Sequence, residues 1–305
     1  MEDMNMNLSE MMKNFADESK CRAYIEALRW PSGVRCPHCK AEKIYRLASR
    51  ELFLCASCEY QFSATVDTIF HDTHLPLTIW FLATVLLCEA KKGMSACQIQ
   101  RSLGIKTYKT AWYLCHRIRA AMLETGRPKL SGKVEMDETY VGGKARSKGL
   151  KGRGTDKEIV IGIRQRNGDV RMFHASDVKA GTIARYIREN VSKDVDVIIT
   201  DDFVSYPFAM ERAGVPRTRH QTIKHSSRVY VQGDIHTNTV ESAFSLLKRG
   251  IMGTWHRISV KHLPAYLDEM CFRFNNRKNP YLFRDTILKL IEAPVLEYKK
   301  LTAVA

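Results

Sequence analysis

The stretch Val195-Asp196-Val197-Ile198-Ile199-Thr200-Asp201 is a nearly continuous apolar run that ends on a carboxylate. Strands that are buried on both faces have this composition, so the run predicts a central strand of a sheet over Val195–Thr200. Because α/β sheets place their chemistry at the carboxyl ends of strands, Asp201 is a candidate site residue.

Two further acidic residues belong to elements near this strand. Val134–Glu138 alternates like a strand, so Asp137 and Glu138 should point to opposite faces of the sheet. Asn238–Lys248 has the apolar spacing of an amphipathic helix and carries Glu241 in its first turn. Two aspartates and a glutamate from separate elements suit a pair of hard divalent ions about 3.5–4 Å apart, which act on phosphodiesters.

Each of these acids also has a purely structural explanation. Asp137 could end a strand at a turn, Asp201 could cap a helix, and Glu241 could form a capping box with Asn238. For any one acid alone the structural role is the better explanation. The basic residues around them favour a functional site.

A strongly cationic stretch containing glycines follows Asp137, and only Asp156 opposes its charge between residues 144 and 157. A flexible cationic hairpin beside an acid indicates binding to a nucleic-acid backbone. The expected contacts are Lys144, Arg146, Lys148, Lys151 and Arg153.

The block before this region has the layout of a helix-turn-helix. Apolar spacing predicts helices over residues 78–90, 95–103 and 107–123, with a break at Gly104. In such a unit the second helix presents its N-terminal side chains to the major groove of DNA. The DNA-facing set would be Lys106, Thr107, Tyr108 and Lys109, with Arg117 and Arg119 on phosphates. An ordinary helical hairpin with a solvated basic face fits this block nearly as well.

Two Cys-x-x-Cys pairs precede the helices, Cys36 with Cys39 and Cys55 with Cys58. Each turn presents two thiolates to one tetrahedral ion, so the spacing predicts a zinc ribbon with short strands between the pairs. Two coincidental cysteine pairs or a redox couple are the alternatives, but redox pairs rarely occur doubled at this spacing. The remaining cysteines are scattered singly, and we expect them to be buried thiols.

The chain has 305 residues, with 48 Lys and Arg against 33 Asp and Glu, and a net charge of +15. This excess favours a polyanionic partner, either nucleic acid or an anionic membrane surface. The longest apolar run, Ile79–Cys88, has about half of the ~20 residues that a membrane-spanning helix requires. The first residues lack the layout of a signal peptide, so we expect the protein to stay in the reducing cytoplasm.

The other predicted elements follow from the same patterns. We expect an N-terminal helix over residues 9–28, strands over 133–137, 158–164 and 170–174, and helices over 182–190, 204–213, 239–249, 261–274 and 282–292. The expected domains are the N-terminal helix (1–30), the zinc ribbon (31–66), the helix-turn-helix domain (67–127), the catalytic domain (128–280), and a C-terminal helix and tail (281–305).

Several separated motifs resemble those of bacterial insertion-sequence transposases of the ISXO-like group, from about residue 10 to residue 280. The motifs are Trp30–Cys39, Thr68–His71 running into Leu77–Phe81, Glu135–Gly143, Thr200–Asp201, His236–Glu241, Leu247–Gly250 and Phe272–Asn275. Asp67 stands where this group is expected to have glycine.

The resemblance implies an α/β catalytic domain of ribonuclease-H-like (retroviral-integrase-like) fold, preceded by a zinc ribbon and an all-α helix-turn-helix domain. It implies an acidic triad of Asp137, Asp201 and Glu241 that binds Mg²⁺ or Mn²⁺, besides structural Zn²⁺ in the ribbon. It also implies DNA contacts at Lys248 and Arg249, and at least a dimer on paired DNA ends.

The predicted function is that of a bacterial DNA transposase. It would bind the terminal inverted repeats of a transposon, hydrolyse a phosphodiester to free a 3′-hydroxyl, and transfer that hydroxyl to target DNA. Two alternatives remain open. One is a transcription regulator that has the ribbon and the helix-turn-helix but no catalysis. The other is a ribonuclease-H-like nuclease or resolvase that cuts without joining.

Overall fold

The structure is a computed structural model that describes residues 7–142, 157–223 and 234–303. The chain forms two compact units. The first comprises residues 1–90, 94–122 and 277–305, and the second comprises residues 91–93 and 123–276. The domain boundaries expected from the sequence stay a prediction.

The secondary structure is mixed. The helices are α1 (Leu8–Asn14), α2 (Glu18–Arg29), α3 (Leu77–Glu89), α4 (Ala96–Ser102), α5 (Tyr108–Ala121), α6 (Ala180–Asn190), α7 (Ser205–Ala213), α8 (Asn238–Gly250), α9 (Leu263–Asn275), α10 (Leu282–Glu292) and α11 (Tyr298–Thr302). The strands are β1 (Ile44–Leu47), β2 (Leu52–Cys55), β3 (Gln61–Phe62), β4 (Lys133–Val141), β5 (Glu158–Gln165), β6 (Val170–Ala175), β7 (Val197–Asp201) and β8 (His220–Ile223). None of the described helices combines the length and apolarity that a membrane crossing requires.

The first unit begins with two helices where one was predicted. Asp17 interrupts the helical stretch because its side chain accepts a hydrogen bond from the Lys20 amide at 2.8 Å, which caps α2. Phe15, in the break, packs edge-on against Tyr24 and Phe81. The apolar spacing that suggested one helix therefore comes from two helices that bury their faces in the same core.

Two arginines of α5 are buried, so the prediction that Arg117 and Arg119 contact phosphates is wrong. Arg117 is 4% exposed and Arg119 is 1% exposed. The Arg117 guanidinium lies over the Trp80 ring and donates to the backbone carbonyls of Ile69 and His71. Arg117 thus satisfies carbonyl groups inside the unit, where it would be costly to leave them unpaired.

The zinc-ribbon region forms the three-stranded antiparallel sheet β1-β2-β3. Trp30 packs edge-on against Phe53 and Phe62 beside this sheet. Asp67 has a φ of 57°, in the left-handed region that glycine adopts most easily and that aspartate tolerates. The backbone thus keeps a glycine-like turn although the residue is aspartate.

The expectation that the single cysteines are all buried is wrong for Cys97. Cys21, Cys88 and Cys115 are buried, but Cys97 is exposed and Cys271 is partly exposed. Cys97 lies in α4 next to Ala96. The buried residues of this helix are Ala96 and Ile99.

The second unit is built on a five-stranded mixed sheet in the order β6-β5-β4-β7-β8. β4, β5 and β6 form an antiparallel meander, and β7 and β8 run parallel to β4. β8 was not predicted, because its four residues lie in a basic stretch that has no apolar alternation. The arrangement fits the ribonuclease-H-like fold that the resemblance implies.

Helices cover both faces of this sheet. On one face Met136 and Ile198 pack with residues of α6 and α7 such as Ile187 and Met210. On the other face Val160 and Met172 pack with residues of α8 and α9, and Phe244 is among these. β7 is buried on both sides, which explains its nearly continuous apolar sequence.

β4 continues four residues beyond its predicted end at Asp137, because its pairing with β5 extends to Val141. Asp137 pairs with Gly162. A Cβ atom on Gly162 would lie 2.6 Å from the Phe244 ring and 3.0 Å from Val240. Glycine at this position therefore lets α8 pack directly on the strand next to Asp137.

We expect Gly162→Ala to destabilise the second unit by about 1–3 kcal/mol, because the added methyl overlaps the Phe244 ring. Chemical unfolding of the full chain measures the effect. Gly253→Ala is the matched control, since a Cβ there meets nothing within 4 Å. Equal stability of the two variants would contradict the packing described here.

Candidate active site and metal sites

Asp137 and Asp201 occupy neighbouring positions on adjacent parallel strands. The pairing of β4 with β7 runs to Glu135 opposite Ile199, and each aspartate lies two residues further along its strand. Because side chains alternate along a strand, Asp137 shares the face of Glu135 and Asp201 shares the face of Ile199. That face of the sheet is the one covered by α8.

Glu241 is in the first turn of α8, the helix that packs over β4 and β5. The hydroxyl of the buried residue Thr237 donates a 2.7 Å hydrogen bond to the Glu241 carboxylate. The N-cap of α8 is Thr237 and not Asn238, so the capping box with Asn238 that the sequence left open does not form. Glu241 itself is largely exposed.

Glu138 lies on the opposite face of the sheet from Asp137. Its carboxylate accepts a 2.9 Å hydrogen bond from the hydroxyl of Tyr206, a fully buried residue of α7. The alternation along β4 therefore delivers one acid to the α8 face and the next to the α7 face.

The negative charges near Asp137 have a clear electrostatic effect. Burial raises the pKa of Asp137 to about 8, and the charges of Glu138, Asp201 and Glu241 add to this shift, although the Glu138 amide opposes it by donating to Asp137. Asp201 accepts a 3.0 Å hydrogen bond from the Phe203 amide. Asp201 and Glu241 of the predicted triad thus both act on Asp137.

The three carboxylates do not form a compact cluster. A group of three or more acids, histidines or cysteines could hold one ion if their ligand atoms all lie within 4.8 Å of one another. Among the described residues the four cysteines form such a group, and the acidic triad does not. The structure brings the triad to one face of the sheet, but it does not bring all three oxygens within reach of one ion.

The four cysteines do form a compact group that could hold a metal ion. The Sγ atoms of Cys36 and Cys58 lie 3.7 Å apart, and those of Cys39 and Cys55 lie 3.4 Å apart. Burial alone would raise the pKa of Cys55, but hydrogen bonds from the amides of Cys58 and Ser57 lower it to about 6. The hydrogen bond from the Tyr60 amide lowers the pKa of Cys58, but burial and the neighbouring cysteine side chains outweigh it and raise this pKa to about 12. A thiolate at neutral pH is the form that binds zinc.

Sequence reasoning did not single out Glu135, although the structure gives it a central place beside the site. Its carboxylate is fully buried and accepts hydrogen bonds from Thr239 and Val240 at the start of α8. Arg166 donates to the same carboxylate at 2.7 Å, and His236 lies 3.3 Å from it. The available signal was its position, two residues before Asp137 on the same face of a strand.

The remaining predicted DNA contacts lie in different places. Lys106, Thr107, Tyr108 and Lys109 are exposed at the start of α5, where the Thr107 side chain caps the helix and Lys109 lies over the Tyr298 ring. Lys248 and Arg249 are exposed in the last turn of α8. The predicted contacts Lys144, Arg146, Lys148, Lys151 and Arg153 lie outside the described residues.

Comparisons with known proteins identify two domains in this chain and one relative. Residues 16–61 match the model of the transposase zinc-ribbon domain, and residues 129–275 match the model of the ISXO2-like transposase domain. A protein of Halobacterium salinarum, described as an uncharacterized protein in transposable element ISH50, is 32% identical over 276 residues, which cover 84% of this chain and 90% of that protein.

Two solved structures are also similar in part. The crystal structure of the Mos1 strand transfer complex is 14% identical and has a TM-score of 0.30, covering 69% of this chain and 74% of that chain. A pre-cleavage Mos1 transpososome is 11% identical and has a TM-score of 0.26, covering 72% of this chain and 80% of that chain.

The two domain models match in the order that the sequence motifs predict, and the ISH50 protein is similar along most of both chains. The match to the ISXO2-like transposase domain spans the sheet that carries Asp137 and Asp201 and the helix that carries Glu241. The chain therefore belongs to the family of ISXO2-like transposases that carry a transposase zinc ribbon.

Proposed function

We propose that Asp137, Asp201 and Glu241 form the active site of a DNA transposase that cuts the ends of its transposon and joins them to target DNA. The observation that carries this proposal is the parallel register of β4 and β7, which sets two aspartates side by side on the face that α8 covers with Glu241. If each acid only ended a strand or capped a helix, there would be no reason for all three to lie on one face of the sheet.

The donor set fits a divalent metal ion. Carboxylate oxygens are the ligands that Mg²⁺ and Mn²⁺ prefer. The negative charges that surround Asp137 repel one another, and a bound cation would reduce this repulsion. Two ions held about 3.5–4 Å apart do not require all three acids in one coordination shell. When bound, such ions lower the pKa of an attacking water and offset charge on the phosphate.

The protein's own contribution is to fix the acids before DNA binds. Thr237 holds the Glu241 carboxylate, and the Phe203 amide holds that of Asp201. Because these groups are oriented in advance, little reorganisation is needed at the moment of reaction. The proposed sequence begins with hydrolysis at the transposon end, which frees a 3′-hydroxyl. That hydroxyl then attacks a phosphodiester of the target, so that a new P–O bond joins the two DNAs while the old P–O bond breaks and leaves a 3′-hydroxyl on the target strand.

The zinc ribbon and the helix pair α4 and α5 would bind the inverted repeats. The residues that face the DNA bases would be Lys106, Thr107, Tyr108 and Lys109. Lys248 and Arg249 would hold the backbone near the reacting end, and the cations between residues 144 and 153 would add to this. The net charge of +15 supports a DNA partner. Paired ends imply at least a dimer of the chain.

Each of Asp137→Ala, Asp201→Ala and Glu241→Ala is expected to lower the rates of cleavage and joining by about 10³-fold or more, with binding to end DNA retained. The assay is the full chain with Mg²⁺, labelled inverted-repeat DNA and a plasmid target. Glu189→Ala is the control, because Glu189 is an exposed acid of α6, on the other face of the sheet.

The products of this assay also separate the alternatives. Joined DNA supports the transposase, cut DNA without joining would indicate a nuclease or resolvase, and binding without cutting would indicate a regulator. Full activity in any one of the three triad variants would remove that residue from the site.

The raised pKa of Asp137 predicts that this acid, at its position in the sheet, destabilises the folded chain. The pKa is about 8 in the folded chain, against about 3.9 in an unfolded one. Folding therefore becomes less favourable as the pH rises from about 4 to about 8. We expect Asp137→Asn to raise the melting temperature at pH 8 when no Mg²⁺ is added, and the gain to shrink towards pH 5. An equal gain at both values would contradict the assignment.

The zinc ribbon is expected to hold one structural Zn²⁺ per chain. Cys55→Ser should lose the metal, unfold the ribbon and weaken binding to end DNA, because the ribbon's small core depends on the ion. Cys97→Ser is the matched control, since Cys97 is an exposed thiol outside the ribbon. Elemental analysis of the purified protein gives the metal content, and a zinc-free wild-type protein that still binds end DNA would refute the prediction.

A further inference from the structure

The carboxylate of Glu135 lies fully buried between β4 and the start of α8. It accepts three hydrogen bonds there, from the Thr239 amide at 2.8 Å, from the Thr239 hydroxyl at 2.7 Å and from the Val240 amide at 3.0 Å. The first amides of a helix have no partner within the helix, and they carry its partial positive charge. Glu135 therefore caps α8 from a neighbouring strand.

A buried carboxylate is costly unless cations and donors compensate its charge. Here Arg166 Nε donates to Oε1 at 2.7 Å, and the same guanidinium donates to the His236 carbonyl at 3.0 Å. All of these partners belong to the second unit. The charge of Glu135 is thus matched on one side by an arginine and on the other by the helix terminus.

A second contact fixes the same turn of α8. Arg164, on β5, donates to the Thr239 carbonyl and lies 3.3 Å from the Ser242 hydroxyl. Glu135 holds the amide of Thr239 while Arg164 holds its carbonyl. The start of α8 is therefore tied to two adjacent strands of the sheet.

We propose that Glu135 is a positioning residue, which sets the distance between Asp137 and Glu241 by binding the first turn of α8 to the strand that carries Asp137. Glu135 and Asp137 are two residues apart on one face of β4, and Glu241 follows Val240 directly along the chain. The inference rests on the proposed roles of Asp137 and Glu241. Glu135 acts through α8 and touches no substrate in this scheme.

Glu135→Gln is the informative change, because glutamine has nearly the same shape. It keeps one acceptor oxygen and replaces the other with an NH₂ group, which can only donate. In either orientation this group faces a donor, either the α8 amides or the Arg166 guanidinium. The first turn of α8 should loosen without the removal of any bulk.

Glu269→Gln is the matched control. Glu269 is also fully buried in the second unit and pairs with an arginine, Arg273, at 3.2 Å. It lies on α9, the helix that also carries Arg273. Both variants break a buried ion pair, so loss of stability as such should be similar in the two proteins.

The first readout is single-turnover cleavage of end DNA by the full chain. Glu135→Gln should lower the rate constant by about 100-fold, the scale expected when a reacting group is misplaced by about 1 Å. The Kd for end DNA should be unchanged, and Glu269→Gln should keep the wild-type rate. Thr239→Ala, which removes only the hydroxyl donor, should give a smaller loss in the same direction. A wild-type rate in Glu135→Gln overturns the proposal.

The second readout does not depend on activity. Hydrogen exchange of peptides that cover residues 236–244 should become faster in Glu135→Gln and stay at the wild-type rate in Glu269→Gln. Unchanged protection in Glu135→Gln overturns the proposal even if the rate falls. If the wild-type chain cuts no DNA, the proposed function fails, and the exchange experiment still decides whether Glu135 holds α8.

Discussion

The parallel pairing of β4 with β7 is the constraint on which the second unit depends. It requires two strands to meet in a register that brings Asp137 beside Asp201, although like charges at neighbouring positions repel. The apolar contacts of Met136 and Ile198 on the other face hold the strands in that register. Hydrophobic packing on one side of the sheet therefore maintains an arrangement of acids on the other side that electrostatics alone would disperse.

The same trade-off appears in the helix over the site. Val240 and Phe244 bury their side chains against β5, which brings Glu241 near the sheet, while Thr237 and Glu135 fix the first turn. The acids are therefore held by groups that are themselves buried and paired. Proteins commonly accept such local costs at functional sites and recover the stability elsewhere in the fold.

Much of this could be predicted from the sequence, because the signals are local. The apolar run before Asp201 predicts a central strand, and the spacing of the cysteines predicts a metal-binding ribbon, as the structure bears out. What could not be predicted depends on partners distant in sequence. β8 has no apolar pattern and forms only because β7 offers an edge to pair with.

The errors have a similar origin. The charge of Arg117 suggested an exposed position, but its guanidinium is buried against the Trp80 ring. There it donates to the backbone carbonyl of His71, 46 residues away along the chain. A single hydrogen bond to Asp17 caps α2, and Glu135 caps the start of α8 from a neighbouring strand. Periodicity reports neither of these contacts. Glu135 resembles any acid in a strand until its partners near residue 239 are known.

Gly162 shows how a residue without a side chain can influence acid chemistry. It is paired with Asp137, and its lack of a Cβ allows the Phe244 ring to lie against the strand. An aromatic ring packed against the strand excludes solvent there and lowers the local dielectric constant, so charges on neighbouring carboxylates are screened less than they would be in water. The identity of an uncharged backbone position thereby affects how strongly the neighbouring carboxylates repel one another.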